Sequence, residues 1–343
     1  MTKTFEGKTI VVTGGTGSLG KVLIHRILSG ENGFPKKIIV FSRDEAKQHD
    51  MRMYYETQKL VTEEIIYQGF KNLVQFKIGD IRDYHSVCSI LRDADIVINA
   101  AALKQVPSCE YFPFEAVQTN IVGAQNIITA IRENDLPVQT VVGVSTDKAV
   151  KPANVMGMTK ALQERIFITA NIASPKTKFV GVRYGNVLAS RGSVIPLFQQ
   201  QIKSGGPVTI TTKAMTRFLL PLDKGVDTIF EAINKGKAGE IYIPKVPAAR
   251  MIDIAEVMIG ARNIEIKEIG IRPGEKIHEC LVSKEESLRT YIRSDYYAIS
   301  SMLPEIASPT EDELLNQEYS SNNFLMSKAE TRKLLKDNNL LEE

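Results

Sequence analysis

The chain has 343 residues, 43% hydrophobic and 24% charged, with a formal net charge of +3. This is ordinary globular composition, long enough for one large domain or two unequal ones. The charge is too small and too dispersed to mark a nucleic-acid-binding surface. No apolar run approaches the roughly 20 residues a membrane span needs. The polar start, Met1 to Lys8, does not read as a signal peptide. Cys88, Cys109 and Cys280 have no paired spacing, so reduced thiols in a cytoplasmic protein are expected. The four histidines lie far apart, and no metal site is expected.

Lys8 to Thr13 is a β-branched run that predicts the first strand. After it, Leu19, Val22, Leu23, Ile27 and Leu28 recur at helical spacing until Gly30 and Gly33 stop the helix. Apolar runs at Lys37–Phe41, Leu73–Ile78, Asp95–Ala102, Val138–Ser145 and Phe179–Arg183 predict five more strands. Helices are predicted over about residues 114–133 and 154–171. Continuously apolar strands alternating with helices point to an α/β fold, a doubly wound parallel sheet (Rossmann) over residues 1–185. Beyond it, Gly and Pro punctuate short strands such as Val208–Thr211 and Glu240–Ile243. Residues 186–343 are therefore expected to form a smaller mixed α/β C-terminal lobe for the substrate, with a C-terminal extension. In that extension, Ser327-Lys328-Ala329-Glu330 has capping-box spacing before a helix to about Asp337.

Between the first strand and helix lies Thr13-Gly14-Gly15-Thr16-Gly17-Ser18-Leu19-Gly20, with glycines spaced G-x-x-G-x-x-G. In this strand-turn-helix setting, Gly14, Thr16, Gly17, Ser18, Leu19 and Gly20 are candidates to cradle a dinucleotide pyrophosphate. The second strand ends in Phe41-Ser42-Arg43 where NAD-binding chains usually place a carboxylate. Ser42, Arg43 and Lys47 instead suit the 2′-phosphate of NADP. Asp44 and Glu45 are read as a favourable start to the next helix. Asp80 and Ile81 are expected beside the adenine, and Ala100, Ala101 and Ala102 to let the cofactor lie against backbone.

The fifth strand runs into Ser145-Thr146-Asp147-Lys148, followed by Met156-Gly157-Met158-Thr159-Lys160. A hydroxyl, a carboxylate and two amines thus gather near one strand end. Met156 and Lys160 share a helix face, and a thioether cannot move a proton.

The glycine loop, Asn99-Ala100-Ala101-Ala102 and the Met156/Lys160 pair resemble the extended short-chain dehydrogenase/reductases. Longer blocks narrow the resemblance. Phe41–Glu45, Ala101–Pro107, Ser145–Ala149, Arg183–Val187, Ser190–Pro196, Met215–Phe218 and Arg272–Lys276 are similar to the soluble UDP-N-acetylglucosamine 4,6-dehydratases. The resemblance implies a UDP-sugar substrate on the way to a surface glycan or flagellin sugar. It also implies a homo-oligomer, and a reaction in which C4 is oxidised, water is lost across C5–C6 and hydride returns to C6.

It further implies roles. Thr146 would bond the C4 oxygen and Asp147 protonate the C6 hydroxyl. Lys148 would take the C5 proton, provided desolvation and nearby cations lower its pKa. Lys160 would hold the nicotinamide ribose. In most of the superfamily a tyrosine stands where Met156 does, although some members of the resembling group share the methionine; either Asp147 or Lys148 would then take the O4 proton. Arg217 and Arg272 would bind the diphosphate, Glu275 the uridine ribose, and Lys104, Asn186 and Tyr184 lie on the substrate side. The loop Arg191-Gly192-Ser193 is expected to be a lid or a subunit contact. Asn154–Gly157 resembles members that retain configuration at C5. Two other readings stay open: a UDP-sugar 4- or 5-epimerase, and a non-catalytic NADP-binding sensor.

Overall fold

The computed structural model describes residues 3–57, 64–188, 193–307 and 312–341. Strands β1 (Thr9–Thr13), β2 (Lys37–Ser42), β3 (Val74–Ile78), β4 (Ile96–Asn99), β5 (Thr140–Thr146) and β6 (Lys178–Tyr184) form the predicted parallel sheet in the order 3-2-1-4-5-6. Alternate residues of each strand feed two cores. Ile10, Val12, Ile38, Val40, Ile96 and Ile98 belong to one face; Val11, Ile39, Phe41 and Val97 belong to the other. Burial on both faces is what makes these strands continuously apolar. Strand order reverses between β1 and β4, so their carboxyl ends open a crevice for a ligand.

The chain does not part cleanly at residue 185. Ile241–Pro244 returns to pair parallel with β6, and the antiparallel strands Tyr296–Ile299 and Thr290–Arg293 extend the sheet to nine strands. The helix Leu222–Lys235 also packs on this sheet. The remaining lobe has its own core, with Leu188, Ile195, Phe198, Ile254, Met258 and Leu335, and small sheets built around Thr216–Leu220 and Val208–Ile210. Ser327 and Glu330 make both hydrogen bonds of the predicted capping box ahead of the helix Lys328–Asp337. Among the described residues, no helix is long and apolar enough to cross a membrane.

Two predicted elements differ in detail. The fourth strand stops at Asn99, and Thr13 Oγ1, which donates to Asn99 Oδ1 at 2.7 Å and accepts from Ala101 N at 3.2 Å, ties the turn that follows to β1. The helix over 114–133 is interrupted by a π turn, Gln118–Val122, between Pro113–Val117 and Gly123–Glu133. Asn120 in that turn binds both backbone groups of Leu103 (2.9 and 3.0 Å) and Thr159 Oγ1 (3.0 Å). It thereby fixes the loop after β4 to the helix that carries Lys160.

Candidate active site

At the nucleotide end of the crevice, Gly14 has φ +67°, and a Cβ there would meet Ala100 O and Ala101 N at 2.8 Å. Only glycine allows the loops after β1 and β4 to touch in this way. Gly17 precedes α1 (Ser18–Leu28) with no side-chain cap, and a Cβ on it would meet only Gly14 O, at 3.3 Å. The free first-turn amides and the space before them fit a pyrophosphate. Gly20 packs against Gly15, and Leu19 leans on the core.

Thr16 Oγ1 lies 3.2 Å from Ser42 Oγ. Arg43 is exposed, with Nη1 3.7 Å from Asp80. Lys47 pairs with Asp44, whose carboxylate also accepts from Lys47 N at 3.0 Å at the start of α2 (Glu45–Thr57), as expected of a helix-starting aspartate. Burial works to raise the Asp80 pKa, but bonds from Arg82 (2.9 and 2.7 Å) and the Arg43 charge outweigh it and hold the carboxyl low. Ile81 has its side chain buried in the core against Gly123, which leaves its backbone to face a nucleotide.

The candidate acid and base sit where β5 ends in the short turn Asp147–Ala149. Asp147 is fully buried; its Oδ1 accepts from Thr146 Oγ1 (2.8 Å) and Lys148 Nζ (3.0 Å), while Oδ2 has no partner. Lys148 Nζ also stands 3.3 Å from Glu279 Oε1. The expected depression of the Lys148 pKa is not found. Burial does push it down, but the Asp147 and Glu279 carboxylates outweigh burial and the Arg217 charge, and the net direction is upward. Lys148 therefore rests as an ammonium. Lys160, buried and donating to Gln163 Oε1 at 2.7 Å, is pushed by burial down to about 8 despite Glu164. Met156 is buried among Cys109, Ala116, Leu103, Val106 and Val155, an apolar setting with no proton to move. A Cβ on Gly157 would fall 2.2 Å from Lys148 O, so this glycine lets the Val155–Ala173 helix start against the Asp147–Ala149 turn.

The segment after Arg272 closes over this end. Asn154 caps the Val155–Ala173 helix (2.8 Å to Gly157 N) and donates to Gly274 O at 3.0 Å. Lys276 Nζ donates to Val150 O, and Glu279 reaches Lys148.

The substrate-side candidates are scattered. Arg217 spends its Nη atoms on the carbonyls of Thr216 (2.7 Å), Ile277 (3.1 Å) and Lys276 (3.0 Å), with Nε 3.9 Å from Glu279. It braces the segment rather than offering a free fork. Arg272 and Lys104 are exposed, and Glu275 accepts from Thr211 Oγ1 at 3.4 Å. Asn186 and Ser193 each bury a side-chain oxygen without a partner, and both line a crevice with Arg217, Leu188 and Ile195. Tyr184 belongs to the core; burial pushes its phenol pKa up, and its hydroxyl has no partner. Arg191 and Gly192 of the expected lid lie outside the described residues.

Sequence reading missed Glu279, which lies just past the Arg272–Lys276 block, and the floor behind β5. There Arg183, 1% exposed, donates to Glu164 (3.0 and 2.6 Å), Glu286 (2.9 and 3.0 Å) and Leu281 O (2.9 Å). Ser145 Oγ donates to the same Glu164.

Residues 10–301 match the model of a family described as polysaccharide biosynthesis protein, and the chain belongs to that family. Its architecture is that of the extended short-chain dehydrogenase/reductases. It is 43% identical over 299 residues to the UDP-N-acetylglucosamine 4,6-dehydratase (inverting) of Campylobacter jejuni, covering 86% of this chain and 84% of that one. It is 45% identical over 301 residues to a UDP-glucose 4-epimerase of Rickettsia conorii, covering 86% and 83%. Among solved structures, Pen from Bacillus thuringiensis superposes with a TM-score of 0.87 at 37% identity, covering 98% and 99%.

Proposed function

We propose that the protein acts on a nucleotide sugar and, more specifically, is an NADP-dependent UDP-N-acetylglucosamine 4,6-dehydratase. As a hydro-lyase it would yield a UDP-4-keto-6-deoxy-N-acetylhexosamine for a surface glycan or flagellin sugar. One observation carries this reading: a buried carboxylate with a bare oxygen and an ammonium share one turn beside Thr146. Elimination across C5–C6 needs an acid and a base side by side, and this arrangement supplies both. The Campylobacter relative supports the choice of substrate.

In this reading the glycine loop and Lys160 hold the cofactor, and Arg43 and Lys47 meet its 2′-phosphate. The bound nicotinamide would accept hydride from C4 and return it to C6. Thr146 bonds the C4 oxygen and passes its proton to Asp147 along the 2.8 Å hydrogen bond. Asp147 takes this part because Met156 has no proton-transfer group and Lys148 is already charged. The Lys160 ammonium steadies negative charge on that oxygen. Asp147 then gives the same proton to the departing C6 hydroxyl, which leaves as water. Lys148 takes the C5 proton and later returns one.

The second reading, a 4-epimerase, is favoured by the Rickettsia relative. Both readings are tested by incubating the protein with NADP and UDP-N-acetylglucosamine in deuterated water. Loss of water and deuterium at C5, read by mass and NMR, are expected; the same spectrum gives the C5 configuration. A product of unchanged mass, inverted at C4, would overturn the dehydratase and establish the epimerase.

A further inference from the structure

Lys148 poses a difficulty for the proposed reaction. It must act as a base, yet it rests as an ammonium held by two carboxylates. Asp147 cannot relieve it, since Asp147 has by then received the O4 proton and must give it to the leaving hydroxyl. Glu279 is the other contact. It is 2% exposed, its Oε1 lies 3.3 Å from Lys148 Nζ, and its Oε2 is buried without a partner. A carboxylate so enclosed cannot draw a proton readily from bulk water, so the proton it can take is the one it faces.

Resting on the dehydratase reading, we infer that Glu279 accepts a proton from the Lys148 ammonium and so produces the neutral amine that removes the C5 proton. The steps balance within the site. A Lys148 N–H bond breaks as a Glu279 O–H bond forms. The amine lone pair then takes the C5 hydrogen, and the C–H electrons pass into the C4 ketone as an enolate. The enolate expels the C6 oxygen with the proton held by Asp147. When C5 is reprotonated from Lys148, Glu279 returns its proton to the amine, and the pair ends as it began.

The groups facing Glu279 are Asp147 and Lys148 from the turn after β5, Arg217 from Thr216–Leu220, and Lys276 from its own segment. In the resting site burial and the Asp147 charge outweigh the pull of the three cations and the net direction is upward; once Asp147 holds the O4 proton, burial alone remains on that side. Glu279 acts through Lys148; it is a positioning and proton-holding residue.

The test is Glu279→Gln, which keeps the shape and removes the basic oxygen. With NADP and UDP-N-acetylglucosamine, kcat for water loss is expected to fall about 100-fold, with KM within about threefold of wild type. The first turnover should still produce reduced nicotinamide, seen by its near-ultraviolet absorbance, because C4 oxidation does not use Glu279. Lys148 must then lose its proton to solvent, so the ratio of variant to wild-type kcat should rise about tenfold per pH unit above neutrality. Glu279→Asp should regain at least about a tenth of wild-type kcat without that rise.

An unchanged kcat in Glu279→Gln would overturn the inference. So would equal loss of oxidation and elimination at every pH with an intact melting transition, or an aspartate variant no better than the glutamine one. If Glu279→Gln does not melt cooperatively, Glu279→Asp decides alone: a kcat reduced at least about fivefold with oxidation intact supports the inference, and an unchanged kcat overturns it. A wild-type protein that removes no water from any UDP-sugar would instead sink the dehydratase reading.

Discussion

At the nucleotide end of the crevice, Gly14, Gly17 and Ala100 let backbone come close to backbone, and the charged groups Arg43 and Lys47 stand at the surface in solvent-exposed pairs. At the acid–base end the charges are inside. Asp147, Lys160 and Glu279 are each at most 5% exposed, and the contact between Lys148 and Glu279 joins segments far apart in the chain. Exposed ion pairs are worth about 0–1 kcal/mol, whereas removing one partner of a buried pair costs about 3–5 kcal/mol. One end is thus a shaped surface tolerant of charge changes. The other is a mutually dependent set of charges.

Three substitutions sharpen or break that contrast. Lys148→Met should abolish water loss, by at least about 1,000-fold in kcat, since it removes the base and leaves two carboxylates facing each other. Near-normal turnover, followed by product mass, would remove Lys148 as the base. Arg43→Glu should leave the fold intact and lower the preference for NADP over NAD by about 10- to 100-fold, the worth of one or two charge-assisted hydrogen bonds. Cofactor titration by fluorescence checks this, and an unchanged ratio would place the 2′-phosphate elsewhere.

The smallest effect concerns stability. The Lys160 pKa is about 8 in the fold against an ordinary 10.5, so between those values the unfolded chain binds more protons. Its contribution should therefore make the protein more stable as pH rises through that window, and the full penalty of burying the charge is present below about 8. Lys160→Met should melt higher than wild type near neutrality, and the gap should close toward pH 10.5. A gap independent of pH would mean that Lys160 keeps its ordinary pKa in the fold.

The same contrast explains what the sequence made legible. Strands β1 to β6 advertise themselves because each buries both faces, and the glycine loop because only glycine fits beside Ala100. Ser327 and Glu330 are readable because their partners are three residues apart. Glu279 was not, since nothing in Lys276-Ile277-His278-Glu279 distinguishes a buried glutamate from a surface one until Lys148 is placed beside it. Arg183 was hidden likewise, its carboxylates lying on two different helices. The π turn at Gln118–Val122 leaves the helical apolar pattern nearly intact, so a broken helix reads as a whole one.

The contact between Lys148 and Glu279 also orders events during synthesis. The glycine loop, Asp147, Lys148 and Lys160 all leave the ribosome before the segment that braces and completes their charge set. A chain halted before residue 279 has its glycine loop and Asp147 but no second carboxylate beside Lys148. The ion pair that completes the buried charge set therefore forms only once this later segment docks.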